Sequence, residues 1–178
     1  MVKKKLKKSE KKKQIKTKTI KKKKINWKVL AVSFLAVIIV SLIGSSTMNI
    51  SEDSWYKQVR PSITPPDIAF PIVWTTLYIL IALSIYFVWT SSKTKYQKKL
   101  ILIVFGINLV ANALWTWLFF GLQNTTVGLI DIGIIWLTTI LMLMLSYKID
   151  KRAFYMLIPY FIWISFASYL SYLIHVAV

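Results

Sequence analysis

The amino-acid sequence predicts an all-α membrane protein: a bundle of five transmembrane helices with a long proline-rich loop between helices 1 and 2. Three observations predict it. Apolar runs of bilayer-crossing length recur through most of the 178 residues, of which 56% are apolar. A hydrocarbon core of roughly 30 Å needs about 20 residues of helix. The runs are continuous, not alternating, which argues against a membrane barrel. Finally, every Lys and Arg lies outside the runs.

Residues 1–28 hold fifteen Lys and one acid, Glu10. Like charges repel and little can be buried, so a disordered, solvated tail is expected. Contact with anionic lipid is the sharper reading of it. Nucleic-acid binding is disfavoured, because the tail has no Arg and one aromatic residue, Trp27. The transmembrane domain is expected over 29–178. Its spans are read as Val29–Thr47, Phe70–Thr90, Leu100–Phe120, Val127–Ser146 and Ala153–Val176. The first is longer than a signal-peptide core and is read as a retained helix.

The connection from Met48 to Ala69 is the only long one. Within and beyond it, Trp55–Trp74 holds four of the five prolines. Proline fixes φ and biases the preceding residue to extended backbone, so a stiff, non-helical loop is expected there. Charge sets the orientation. The tail, the Ser91–Lys99 loop with four Lys and the Tyr147–Arg152 loop with three basic residues fall on one side. The positive-inside rule places that side, with the N-terminus, in the cytoplasm.

Polar residues inside the spans are few. Asn108 and Asn112 share a helix face, which Trp115 and Phe119 extend. Two readings stay open for these amides: hydrogen bonds between helices, or contact with a ligand. Asp131, an intramembrane acid, is a functional candidate, but a structural carboxylate near a helix N-terminus is the preferred reading. His175 could ligate a haem iron, but is read as an incidental interfacial residue near the C-terminus. Trp74 with Tyr78, and Trp163 with Tyr160 and Ala167, form further aromatic faces. No cysteine is present, which excludes disulfides and thiolate metal sites. No Walker loop, HExxH or Ser/His/Asp set occurs either. An enzyme with a standard polar site is thereby disfavoured, and no metal is expected. What remains is an aromatic, apolar cavity suited to a large flat molecule.

Three blocks carry a resemblance. The first is Trp55-Tyr56 through Pro61-Ser62-Ile63-Thr64-Pro65-Pro66 to Phe70-Pro71-Ile72-Val73-Trp74-Thr75-Thr76-Leu77-Tyr78. The second is Asn108 through Asn112-Ala113-Leu114-Trp115 to Phe119-Phe120-Gly121. The third is Pro159-Tyr160-Phe161-Ile162-Trp163 with Phe166-Ala167-Ser168-Tyr169-Leu170. From about Val29 onward the chain resembles the TspO/MBR family, the tryptophan-rich sensory proteins and the translocator protein (the peripheral-type benzodiazepine receptor). The resemblance implies a five-helix bundle whose first loop folds over a pocket for porphyrins such as haem and protoporphyrin IX, or for sterol-like molecules. It implies a pocket lined at Tyr56, Pro65, Trp74, Asn112, Trp115, Trp163 and Ala167; the helix faces add Tyr78 and Phe119. Ile63 stands where the family commonly has Phe or Trp, and Ser171 where it commonly has Asn.

The leading functional expectation is a membrane receptor, sensor, regulator or scavenger of tetrapyrroles, with no cofactor required. One alternative is light- or oxygen-dependent porphyrin degradation, with Trp74 and Trp163 as catalytic candidates. Another is a transporter of porphyrin or sterol-like molecules, which the lack of broken helices and repeat halves disfavours. A prokaryotic cell membrane is the expected location, lipid the expected surroundings, and a homodimer is what the resemblance implies.

Overall fold

The computed structural model describes residues 24–46 and 54–178, and these contain helices and connections but no strand. The helices are α1 (Trp27–Ser45), α2 (Trp55–Val59), α3 (Ala69–Ser91), α4 (Lys95–Thr116, continued by a π-helical turn over Trp117–Gly121), α5 (Thr125–Ile149) and α6 (Lys151–Ala177). Among the described residues, α1, α3, α4 with its π turn, α5 and α6 are long and apolar enough to cross a membrane. The five expected spans are therefore present. The expected disordered tail lies outside the described residues up to residue 23, as do Thr47 and the start of the connection to α2.

Four of the spans, α1, α4, α5 and α6, begin before their apolar stretch, because a side-chain cap rather than hydropathy sets the start. Asn26 caps α1, its Oδ1 accepting from Val29 N at 3.3 Å, so Trp27 and Lys28 belong to the helix rather than the tail. Thr94 and Gln97 form a reciprocal capping box. It starts α4 at Lys95, five residues before the apolar run, so most of the expected Ser91–Lys99 loop is helix. Asn124 caps α5, and Asp150 caps α6 with its side chain accepting from Arg152 N. Only Asp150 then separates α5 from α6.

The stretch from Trp55 corrects an expectation. It is not wholly non-helical: Trp55–Val59 forms the short helix α2, and Ala69 already begins α3. No proline falls before Pro61, so one helical turn is free to form. Arg60, the residue before Pro61, is extended at ψ 135° and ends it.

The membrane helices close into a ring in the order α1, α3, α6, α5, α4, and each packs along both of its neighbours. The apolar core inside the ring includes Leu77, Ile81, Phe105, Ile135, Met142, Leu157 and Ile164. Lipid-facing side chains such as Val32, Leu102, Leu137 and Ile162 remain exposed on its outside.

Asp150 is the polar staple at the Lys-rich end. Its carboxylate accepts from Ser91 Oγ at 2.7 Å and from Arg152 Nη2 at 2.8 Å. The Arg152 hydrogen bonds hold its carboxyl down at about 2. Replacing Asp150 with Ala should cost about 1–2 kcal/mol of stability, the usual worth of an N-cap. The depressed value means this stabilisation is present above pH ~4, the unfolded value, and is lost as pH falls toward about 2. Thermal unfolding in detergent across that range checks both: the wild type should lose its advantage over Asp150→Ala on acidification.

Candidate ligand-binding site

A cavity of about 550 Å³ occupies the ring toward the end that carries α2. All five spans contribute to it. Small residues of α1, Ser41, Gly44 and Ser45, leave room on one side. Opposite them stand Trp163, Ile164 and Ala167 of α6. Phe70, Trp74, Thr75 and Tyr78 come from α3, Asn112, Trp115 and Phe120 from α4, and Ile132 and Ile135 from α5. Tyr56, Asp67 and Ile68 face it from the connection between α1 and α3.

The aromatic walls hold one another in place. Trp74 lies 5.4 Å from Tyr78, and Phe70 meets Trp163 edge-on at 5.9 Å. Trp115 stacks on Phe119 at 5.0 Å with an interplanar angle of 14°. Trp55 and Tyr56 of α2 seat edge-on against this pair of helix turns, Tyr56 at 5.1 Å from Phe120.

A chain of hydrogen bonds crosses the ring at the inner end of the cavity. Tyr78 donates its hydroxyl to Asn112 Oδ1 at 2.9 Å. Asn112 Nδ2 donates to the Tyr160 hydroxyl at 3.1 Å. That hydroxyl donates to Asn108 Oδ1 at 3.0 Å. Asn108 Nδ2 in turn reaches Ile135 O, Thr138 Oγ1 and Thr139 Oγ1 at 2.9–3.1 Å. The chain thus joins α3, α4, α6 and α5. Both asparagines hold helices together, and Asn112 alone of the two also reaches the cavity wall.

Of the residues singled out in the sequence, Tyr56, Trp74, Tyr78, Asn112, Trp115, Trp163 and Ala167 are brought to this one cavity. Pro65 and Phe119 are not on its wall. Pro65 sits half-buried in the connection. Around Phe119 the helix widens into the π turn, in which Leu122 N bonds Trp117 O, a spacing of five residues. Phe119 stays stacked on Trp115, while Phe120 meets Trp115 edge-on at 5.6 Å and is the ring that reaches the cavity wall. Phe119 is turned onto α5 instead, where a Cβ on Gly128 would meet its ring at 2.8 Å. Ile63 is exposed and off the cavity.

Asp131 is buried on α5 and off the wall, and its Oδ2 has no partner among the described residues. His175 Nδ1 pairs with Thr125 Oγ1 at 3.1 Å, tying the end of α6 to the start of α5. Sequence reading missed Phe70, Phe120 and the α1 face. The Ser41-x-x-Gly44-Ser45 run was the available sign of that face, since small residues let helices or ligands approach closely.

A clasp closes the connection over the cavity rim. Lys57 Nζ and Arg60 Nη1 each meet Asp67, at 2.7 and 2.8 Å. The Lys57 hydrogen bond, aided by Arg60, holds the Asp67 carboxyl below its usual value.

Fold and site define a class: a multi-pass integral membrane protein whose helix ring encloses an aromatic-walled cavity. The model of the TspO/MBR family matches residues 31–177, and the chain belongs to that family. It is similar to the tryptophan-rich protein TspO of Chlorobaculum tepidum, 37% identical over 131 residues, or 72% of this chain and 83% of that one. Its likeness to the Archaeoglobus fulgidus tryptophan-rich protein TspO is 37% over 139 residues, covering 78% and 89%. With the translocator protein of Homo sapiens it shares 26% over 132 residues, covering 73% and 78%.

Tyr160→Phe keeps the ring and removes the hydroxyl at the centre of the chain, leaving Asn108 Oδ1 and Asn112 Nδ2 short of a partner. A loss of about 1–2 kcal/mol is expected. Detergent-titrated unfolding checks it, with the exposed Tyr172→Phe as the neutral control.

The lowered Asp67 carboxyl means that the clasp contributes above the unfolded value of about 3.9 and is lost as pH falls through the folded one. Amide exchange over residues 55–60, corrected for intrinsic rates, should rise on acidification. Asp67→Asn should show the raised exchange already at neutral pH.

Proposed function

We propose that this protein binds tetrapyrroles, haem or protoporphyrin IX, or flat hydrophobic molecules of like size, and acts as their sensor, regulator or scavenger. The observation that carries the reading is the convergence of Trp74, Trp115, Trp163, Phe70 and Phe120 on one cavity of about 550 Å³. Small-molecule sites run from about 300 to 1,000 Å³, mostly apolar with a few placed polar groups. Aromatic faces recognise a flat conjugated ligand by stacking and edge contacts.

The polar groups are few and placed at the wall. Asn112 is fixed by Tyr78 and Tyr160, so its amide orients without rearranging. Trp115 Nε1 is a buried donor with no partner among the described residues, free to meet an acceptor on the ligand edge. Family membership and relatives that bear sensory or translocator names are in keeping with this. The same reading takes the end with Lys93, Lys95, Lys98, Lys99, Lys148 and Lys151 as cytoplasmic, so the cavity end faces the opposite side.

Protoporphyrin IX added to purified protein should quench tryptophan fluorescence in a saturable way. Trp74→Ala and Trp163→Ala should each raise Kd about tenfold, or ~1.4 kcal/mol for a lost aromatic wall. Trp27→Phe, at the exposed start of α1, should leave it unchanged. Undiminished affinity in both alanine variants would contradict the proposed pocket.

A further inference from the structure

We infer that the ligand reaches the cavity sideways, from the bilayer, through the seam between α1 and α3, with Tyr78 as the gate. The inference rests on the tetrapyrrole reading above. A second, smaller cavity of about 190 Å³ lies in this seam. Phe34, Ile38 and Leu42 of α1 and Ile79 of α3 wall it. Three further residues, Ser41, Thr75 and Tyr78, line both this cavity and the central one. The two spaces are therefore neighbours, divided by those side chains.

The outer wall belongs to the lipid-facing surface. Ile38 is 50% exposed, Leu42 64% and Ile79 45%. The path from bilayer to central cavity thus begins on side chains that touch acyl chains and ends on Trp74 and Asn112. Of the dividers, Ser41 and Thr75 are small. Tyr78 is the one large group, and a single hydrogen bond, to Asn112 Oδ1 at 2.9 Å, holds its hydroxyl. Swinging the ring aside breaks that bond and leaves two short side chains in the way.

The chemistry of the ligand favours the route. A large apolar molecule partitions into the bilayer, and a lateral path lets it pass from hydrocarbon to aromatic wall without exposing its faces to water. At the α2 end, by contrast, the connection is pinned by two ion pairs to Asp67 and by Tyr56 on Phe120.

The chain has no cysteine, so Ile38→Cys/Ile79→Cys can be bridged selectively with a reducible bis-methanethiosulfonate. The protein is reconstituted in vesicles, loaded with protoporphyrin IX and mixed with excess empty vesicles, and release is followed as recovery of tryptophan fluorescence. Bridging should slow release at least tenfold with Kd unchanged, and reduction should restore the rate. Tyr78→Phe, which frees the ring from Asn112, should speed release severalfold. Release at the same rate with and without the bridge, while porphyrin still quenches, overturns the lateral route. Release unaltered in Tyr78→Phe overturns the gate. Absence of quenching in the unbridged protein is distinguishable from both, and removes the ligand and its route together.

Discussion

The hydrogen-bond chain from Tyr78 through Asn112, Tyr160 and Asn108 to Thr138 and Thr139 is the constraint on which the rest of this bundle depends. In a bilayer, apolar surface is as well solvated by lipid as by another helix, so burying it does not drive helices together. Association then leans on close packing and on polar groups that cannot be left unpaired in hydrocarbon. Asn108 and Tyr160 are wholly buried at 0% exposure, so their amide and hydroxyl have only each other and their neighbours to bond. One connected set of bonds sets the relative depth of α3, α4, α5 and α6. It also forms the inner end of the cavity, since its first two members, Tyr78 and Asn112, stand on the wall.

A second constraint works at the opposite end. The π turn over Trp117–Gly121 widens the last turn of α4 and spreads its aromatics over two directions. Phe120 faces the cavity, while Phe119 packs on α5 at Gly128 and under Trp55. The two rings together make the seat for α2. The connection above the cavity is thereby held by ring contacts on one side and by the Asp67 clasp on the other. Ring contacts are indifferent to pH, while the clasp is not, so the rim can loosen at one edge without leaving its seat.

Most of the architecture was legible in the sequence because a membrane span is a local property. Five runs of sufficient length announce five helices whatever surrounds them. Several wall residues were legible for a similar reason. Trp74 with Tyr78 and Asn112 with Trp115 are set on shared faces by helical spacing alone. The errors fall where spacing ceases to be regular or where the partner is distant. Phe119 keeps the face it shares with Trp115, but Phe120 reaches the cavity in its place, because a π turn cannot be seen in residue identities. The helix at Trp55–Val59 was hidden by the prolines that follow it, and the α1 wall by its lack of aromatic residues.

By itself, then, the sequence determined the spans, the basic end, and which side chains share a helix face, since each depends on near neighbours along the chain. Tertiary structure decided the ring order that brings α1 beside α3, the bonding of Asn108 to α5 and of Asn112 to α6, and the seam between two cavities. Those depend on groups tens of residues apart, whose meeting is governed by packing and by hydrogen-bond satisfaction in hydrocarbon rather than by any local pattern.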